Sequence, residues 1–135
     1  MTHISPHNGF ISNYIKNYMS LPELLKFKYL IDIGGNGWSG RLKYLLFSKR
    51  PLLIVDRNYI EYFYNDLIPY THYIPVKMDL SDLLEKVEWM KTNYEECLNI
   101  ANNAYNFALS NFTNDKLMKR INEVYTNIKE DMTQK

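Results

Sequence analysis

Apolar residues fall into two kinds of run along this chain. Short uninterrupted runs, bounded by glycine, proline or acid, occur at Tyr29-Leu30-Ile31-Asp32-Ile33, at Leu52-Leu53-Ile54-Val55 and at His72 to Val76. Runs of this length and composition predict strands buried on both faces. Elsewhere apolar residues return every three or four positions, the period of a helix. That period predicts a helix over 9–20, carried by Phe10, Ile11, Tyr14, Ile15 and Tyr18, and a short one over 22–26, with Ser20 or Leu21 as cap and Pro22 in its first turn. Further helices are predicted over 41–47, 59–67, 81–91, 94–112 and 114–132, with Ser81 capping the fifth of these seven. Pro69 stops the aromatic segment Tyr59 to Leu67, and Pro75 predicts an early end or an edge position for the third strand.

The resulting order is β-α-β-α-β followed by three helices. Strands separated by helix-length segments pair in parallel through right-handed crossovers. The chain is therefore an α/β domain, Rossmann-like and three-layered, with a short parallel sheet and a helical C-terminal tail. Parallel pairing brings the ends Asp32-Ile33 and Val55-Asp56 to one edge of the sheet, where open α/β sheets carry their ligand crevices. The chain reads as a single domain over 1–135, too short for a complete two-domain enzyme of ordinary size. The tail, a helix over 113–133, keeps Leu117, Ile121, Val124, Tyr125 and Ile128 at helical spacing and is expected to pack back on the body.

Composition narrows the function. Hydrophobic content of 46% and aromatic content of 15% exclude a disordered chain. Sixteen basic against 15 acidic residues remove the electrostatic case for coating a nucleic acid. No apolar run reaches the roughly 20 residues of a membrane span, and the N-terminus has no signal-peptide pattern, so the expected compartment is the cytoplasm. Asn, Lys, Ile and Tyr are abundant, but AT-rich codons favour all four, so their excess reports the genome rather than the function. Cys97 is the one cysteine, which rules out an intramolecular disulfide. It follows Glu95 and Glu96, which oppose a thiolate, so it reads as a core residue. His3 and His7 stand four apart on a Pro-containing stretch, a poor frame for a metal.

Four of the five glycines lie between Gly34 and Gly40, after a strand and before a helix. Gly35-Asn36-Gly37-Trp38-Ser39-Gly40 fits G-x-G-x-x-G in the context that gives that pattern meaning. Such a loop bares backbone N–H groups, and the helix dipole behind it favours an anion. Arg41 follows in the first turn, where a guanidinium can grip a phosphate by two bonds. Asp56 ends the second strand and is placed to meet ribose hydroxyls. The plain alternative is a tight turn with Arg41 capping a surface. Among ligand readings, a dinucleotide fold needs about six strands and a second domain. An S-adenosylmethionine methyltransferase fits Asp32-Ile33-Gly34-Gly35-Asn36-Gly37 locally but requires a larger sheet.

From Lys28 onward the chain resembles the C-terminal part of the capsule-associated glycosyltransferase family, which includes Rumi-type protein O-glucosyltransferases and lipopolysaccharide-modifying relatives. The matching segments are Lys28-Tyr29-Leu30-Ile31-Asp32-Ile33 with its following glycine, and Trp38-Ser39-Gly40-Arg41-Leu42-Lys43-Tyr44-Leu45-Leu46. They continue with Asp56 and Tyr59-Ile60-Glu61-Tyr62-Phe63-Tyr64, then Pro69 with His72-Tyr73-Ile74-Pro75-Val76-Lys77, and Asp79-Leu80-Ser81-Asp82-Leu83-Leu84-Glu85. Order and spacing agree over 28–110, the expected nucleotide-sugar-binding core. The resemblance implies half of a GT-B fold, the lobe that takes a nucleotide-sugar donor, usually a UDP-sugar, with no metal and no further cofactor. Its reaction is transfer of the sugar to a protein or glycan hydroxyl.

The resemblance also assigns residues. Arg41 neutralises the diphosphate, helped by Ser39 and the amides of Gly35, Asn36 and Gly37. On physical grounds alone Lys43 is the next candidate cation, with a solvated helix lysine as the equal alternative. Asp56, Tyr59 and Glu61 edge the nucleoside pocket. The family's catalytic carboxylate belongs to an acceptor-binding lobe, which residues 1–27 are too short to form. No catalytic base is named in this chain: Asp32, in a buried strand, and Asp79, before a helix, read as structural carboxylates. The implied partners are the donor nucleotide-sugar and either a separate acceptor lobe or a second copy, covering apolar surface at Trp38 beside the loop. A module that binds a nucleotide-sugar without turnover is the alternative, and a methyltransferase fragment the second one.

Overall fold

The computed structural model describes residues 19–35 and 37–134. The expected first helix with its apolar stripe from Phe10 to Tyr18, the pair His3 and His7, and Asn36 of the glycine loop lie outside the described residues.

The three most apolar runs form the strands β1 (Leu30–Asp32), β2 (Leu52–Val55) and β3 (Ile74–Val76). They pair in the order β1-β2-β3, all parallel. Leu30 faces Leu52 and Asp32 faces Ile54; Leu53 faces Ile74 and Val55 faces Val76. As the central strand, β2 has every residue buried, and its side chains alternate between the two faces. Leu52 and Ile54 enter one core cluster, Leu53 and Val55 the other. β3 is an edge strand, as Pro75 requires, since proline has no N–H to give to a further neighbour. It begins at Ile74 rather than His72.

Helices cover both faces. On one, α2 (Leu42–Leu46) packs Leu42, Leu45 and Leu46 against Leu30, Leu52, Ile54, Phe63 and Leu67. On the other, Met90 of α3 (Leu83–Thr92) meets Leu53, Val55, Ile74 and Val76. α4 (Tyr94–Asn111) serves both clusters, Cys97 and Ile100 in one and Ala104 and Ala108 in the other. The break between α3 and α4 falls at Asn93, whose side-chain amide donates to the Trp89 carbonyl at 2.9 Å. Cys97 is wholly buried, and burial pushes its thiol up, with Glu96 adding to the effect; it is the core residue its acidic neighbours predict. At the start of the described chain, α1 (Leu21–Leu24) is closed by a capping box between Ser20 and Glu23, with Pro22 in its first turn.

Three expectations need correction. The segment Tyr59 to Leu67 is a series of turns with a single 3-10 turn, Tyr64–Asp66, not an α-helix. Its rings lose rotamer freedom in a helix, Asn65 and Asp66 compete for backbone bonds, and Pro69 bars extension. Burial of Phe63 and Leu67, four residues apart, fixes it without one. Ser81 is not the cap of α3; Asp82 holds that position and turns its carboxylate back to accept from the Lys77 N–H at 2.9 Å. The terminal helix α5 (Asn114–Thr133) packs back only through its first turns, at Leu117 and Arg120: it has no buried residue, and the rest of its stripe is open, Ile121 at 58% and Tyr125 at 68% exposure. Phe112 anchors the chain among Phe47, Phe63 and Phe107, and the extended Thr113 then carries α5 away. Among the described residues no helix is long and apolar enough to cross a membrane.

Candidate functional site: the cleft at the strand ends

Because β1 and β2 run parallel, the segments that follow them emerge on one edge of the sheet. Ile33-Gly34-Gly35 with Gly37 and Val55-Asp56-Arg57-Asn58-Tyr59 enclose a cleft of about 280 Å³, with Met78 and Leu80 from the segment after β3. Gly34 has φ +83°, a conformation that side chains rarely adopt. A Cβ on Gly34 would also stand 3.2 Å from Arg57 Nη1. At Gly35, Gly37 and Gly40 a Cβ would meet nothing within 4 Å, so the loop backbone lies open on that side.

A buried ion pair supports the cleft from behind. Asp32, at the end of β1, has no exposed surface. Ser39 Oγ donates to its Oδ1 at 2.8 Å, and Arg57 Nη1 donates to its Oδ2 at 2.8 Å. Arg57 Nη2 donates to the Asp32 carbonyl at 2.7 Å, and Arg57 Nε to the Val55 carbonyl at 3.0 Å. The Arg57 N–H donates to Asp56 Oδ1 at 3.0 Å. Arg41 approaches the same carboxylate from outside: its Nη2 lies 3.8 Å from Asp32 Oδ1, and its side chain is 57% exposed.

The predicted site residues separate into groups. Gly35, Gly37, Asp56 and Tyr59 line the cleft. Ser39 sits behind it, its hydroxyl proton committed to Asp32, so only its backbone can serve an anion. Arg41 is adjacent through Asp32 but does not line the cleft. Glu61 lies elsewhere: its Oε2 is buried, without a hydrogen bond among the described residues, 3.4 Å from Lys43 Nζ. Lys43 in turn borders a separate groove of about 570 Å³ along α5. Asp32 is the structural carboxylate its strand predicts. Trp38 is 67% exposed beside the loop, and Ile33 and Tyr59 are also exposed.

The helix after the loop is shorter than its sequence suggests. α2 has five residues, so its dipole is slight and positive charge at the cleft comes from side chains. Sequence reasoning passed over Arg57, Asn58, Met78 and Leu80. Leu80 has φ 62°, a costly conformation for a leucine and a mark of local constraint beside the cleft. Asp56 also edges a neighbouring hollow of about 290 Å³, shared with Tyr64, Tyr73, Lys77, Asp82 and Lys86. Burial raises both tyrosines, Tyr73 to about 12 with the neighbouring Tyr64 adding to it; their hydroxyls bond each other, which leaves one O–H of the pair for a ligand. Among the described residues no three His, Cys, Asp or Glu side chains gather to hold a metal ion.

Residues 8–130 match the profile of glycosyl transferase family 90. The chain is 37% identical over 111 residues to Protein O-glucosyltransferase 2 of Danio rerio, covering 82% of this chain and 22% of that one. It is 42% identical over 83 residues to Protein O-glucosyltransferase 3 of Homo sapiens, covering 62% and 16%. To Protein O-glucosyltransferase 1 of Rattus norvegicus it is 35% identical over 92 residues, covering 68% and 24%. The chain thus spans about a fifth of the length of these relatives. With the match running through nearly all of its residues, the chain belongs to glycosyl transferase family 90.

Proposed function

We propose that this chain forms the donor-binding part of a glycosyltransferase, half of a GT-B fold, and that its cleft takes a UDP-sugar. The observation that carries the reading is the cleft itself, where a bare glycine loop and a strand-end acid meet at the carboxyl edge of a parallel sheet. In the proposed pose the diphosphate lies along Gly34, Gly35 and Gly37, and Asp56 accepts from the ribose hydroxyls. Arg41, largely solvated, folds over the phosphates from outside.

Transfer breaks the bond between the anomeric carbon and the diphosphate oxygen. Negative charge then accumulates on the departing UDP, and fixed cations and backbone N–H groups lower its cost. No metal is needed in this scheme. The acceptor, a protein or glycan hydroxyl, approaches the exposed side marked by Trp38, Ile33 and Tyr59, where a separate acceptor lobe or a second copy supplies the base. The names of the relatives, protein O-glucosyltransferases, support a glucosyl donor.

A thermal-shift and calorimetric screen tests the reading. UDP-glucose, UDP-xylose and UDP-galactose should raise the melting temperature, whereas GDP-mannose and S-adenosylmethionine should not. A response to S-adenosylmethionine alone would overturn it.

A further inference from the structure

We propose that Arg57, locked to Asp32, is the fixed anion-binding group of the cleft and contacts a phosphate of the bound nucleotide directly. The inference rests on the nucleotide-sugar reading and adds a residue that reading does not contain.

A guanidinium carries five N–H groups. In Arg57, Nε is spent on the Val55 carbonyl, one Nη1 proton on Asp32 Oδ2 and one Nη2 proton on the Asp32 carbonyl. One N–H on each terminal nitrogen has no partner among the described residues. Arg57 lines the cleft beside Gly34, Gly35 and Gly37, and its side chain is only 9% exposed. Gly34 lacks the side chain that would press on Nη1.

Three anchoring bonds remove the rotamer freedom that an arginine otherwise loses on binding, so a contact made from this position is preorganised. Among the described residues Arg41 has no such anchorage: its close charged neighbour there is Asp32 Oδ1 at 3.8 Å. Asp32 and Asp56 balance Arg41 and Arg57, so the four side chains carry no net charge. An anion is therefore held by the unpartnered Arg57 N–H groups and not by a net field, and the five-residue α2 adds little dipole to them.

Calorimetry with UDP, uridine and inorganic pyrophosphate on the wild type and on Arg57→Lys tests the proposal. The ammonium keeps a charge opposite Asp32 but cannot hold three anchors and present two further donors. Arg57→Lys should weaken UDP and pyrophosphate by about 10-fold or more. It should leave uridine within about 2-fold, since uridine has no phosphate to lose. Should Arg57→Lys fold poorly, the double variant Asp32→Asn/Arg57→Gln removes both charges together and should show the same phosphate-selective loss. Equal effects on UDP and uridine, or none on either, would make Arg57 a purely structural link between the strand ends. Failure of the wild type to bind UDP at all would overturn the donor-site reading itself, a result separable from unchanged binding in the variants.

Discussion

A buried carboxylate is tolerated when its oxygens are satisfied, and Asp32 meets that condition with Ser39 on one oxygen and Arg57 on the other. Arg41 stands outside this arrangement, beyond hydrogen-bond reach and mostly in solvent. Its removal should therefore leave the fold almost unchanged, within about 0.5 kcal/mol by denaturant titration. If it folds over the phosphates, Arg41→Ala should cost about 1.5–3 kcal/mol in UDP binding, roughly 10- to 150-fold, and leave uridine unaffected. Equal losses for the two ligands in calorimetry would assign Arg41 to the fold instead. Arg41 is legible in the sequence because it directly follows the glycines. Arg57 is not, because its partner stands 25 positions earlier. Only the register that sets Asp32 beside Ile54 brings the two strand ends together. Ser39 is legible as a polar residue in the loop, but the direction of its hydroxyl depends on that same register.

The strands are legible because an apolar run bounded by punctuation has few other uses, and Pro75 even gives the edge. The segment from Tyr59 to Leu67 misleads because its apolar spacing of four is satisfied equally by a helix and by turns around two anchors, Phe63 and Leu67. The turn that follows carries a titrating group. His72 Nδ1 accepts the Ile68 N–H at 2.9 Å, and its ring packs 5.1 Å from Phe107. Burial lowers its pKa from the ordinary 6.5. Only neutral imidazole can accept that bond, and the unfolded chain binds the proton more readily. The stability His72 contributes is thus fully present above the unfolded value near 6.5 and is lost as pH falls through the lower folded value. Melting temperatures measured from about pH 7 to about pH 5 should fall more steeply for the wild type than for His72→Gln, whose amide oxygen accepts without titrating. Parallel curves would remove His72 as the source of any acid sensitivity.

The molecule as a whole is a three-stranded sheet whose two clusters are joined by α4, with α5 attached at one end. The three-layer plan is legible because strand count and spacing leave few alternatives. The placement of α5 is not: a stripe of apolar residues shows that a face can be covered, not which surface covers it. α5 meets the body through Leu117, half-buried, and through Arg120, whose guanidinium lies 4.6 Å from the Tyr62 ring centre. Beyond these, Val124 and Ile128 are half-exposed or more. Partial burial of one leucine and one solvated cation–π contact amount to about 1–2 kcal/mol. A chain ending at Thr113 should therefore lose no more than that in urea unfolding, since Phe112 and both clusters are retained. It should also bind UDP as the longer chain does, because none of the cleft residues lies in α5. A helix of this length packed into the core would instead carry a large share of a stability that totals about 5–15 kcal/mol. A loss of about 5 kcal/mol on truncation would then show that α5 lies against the body, as its periodicity predicts.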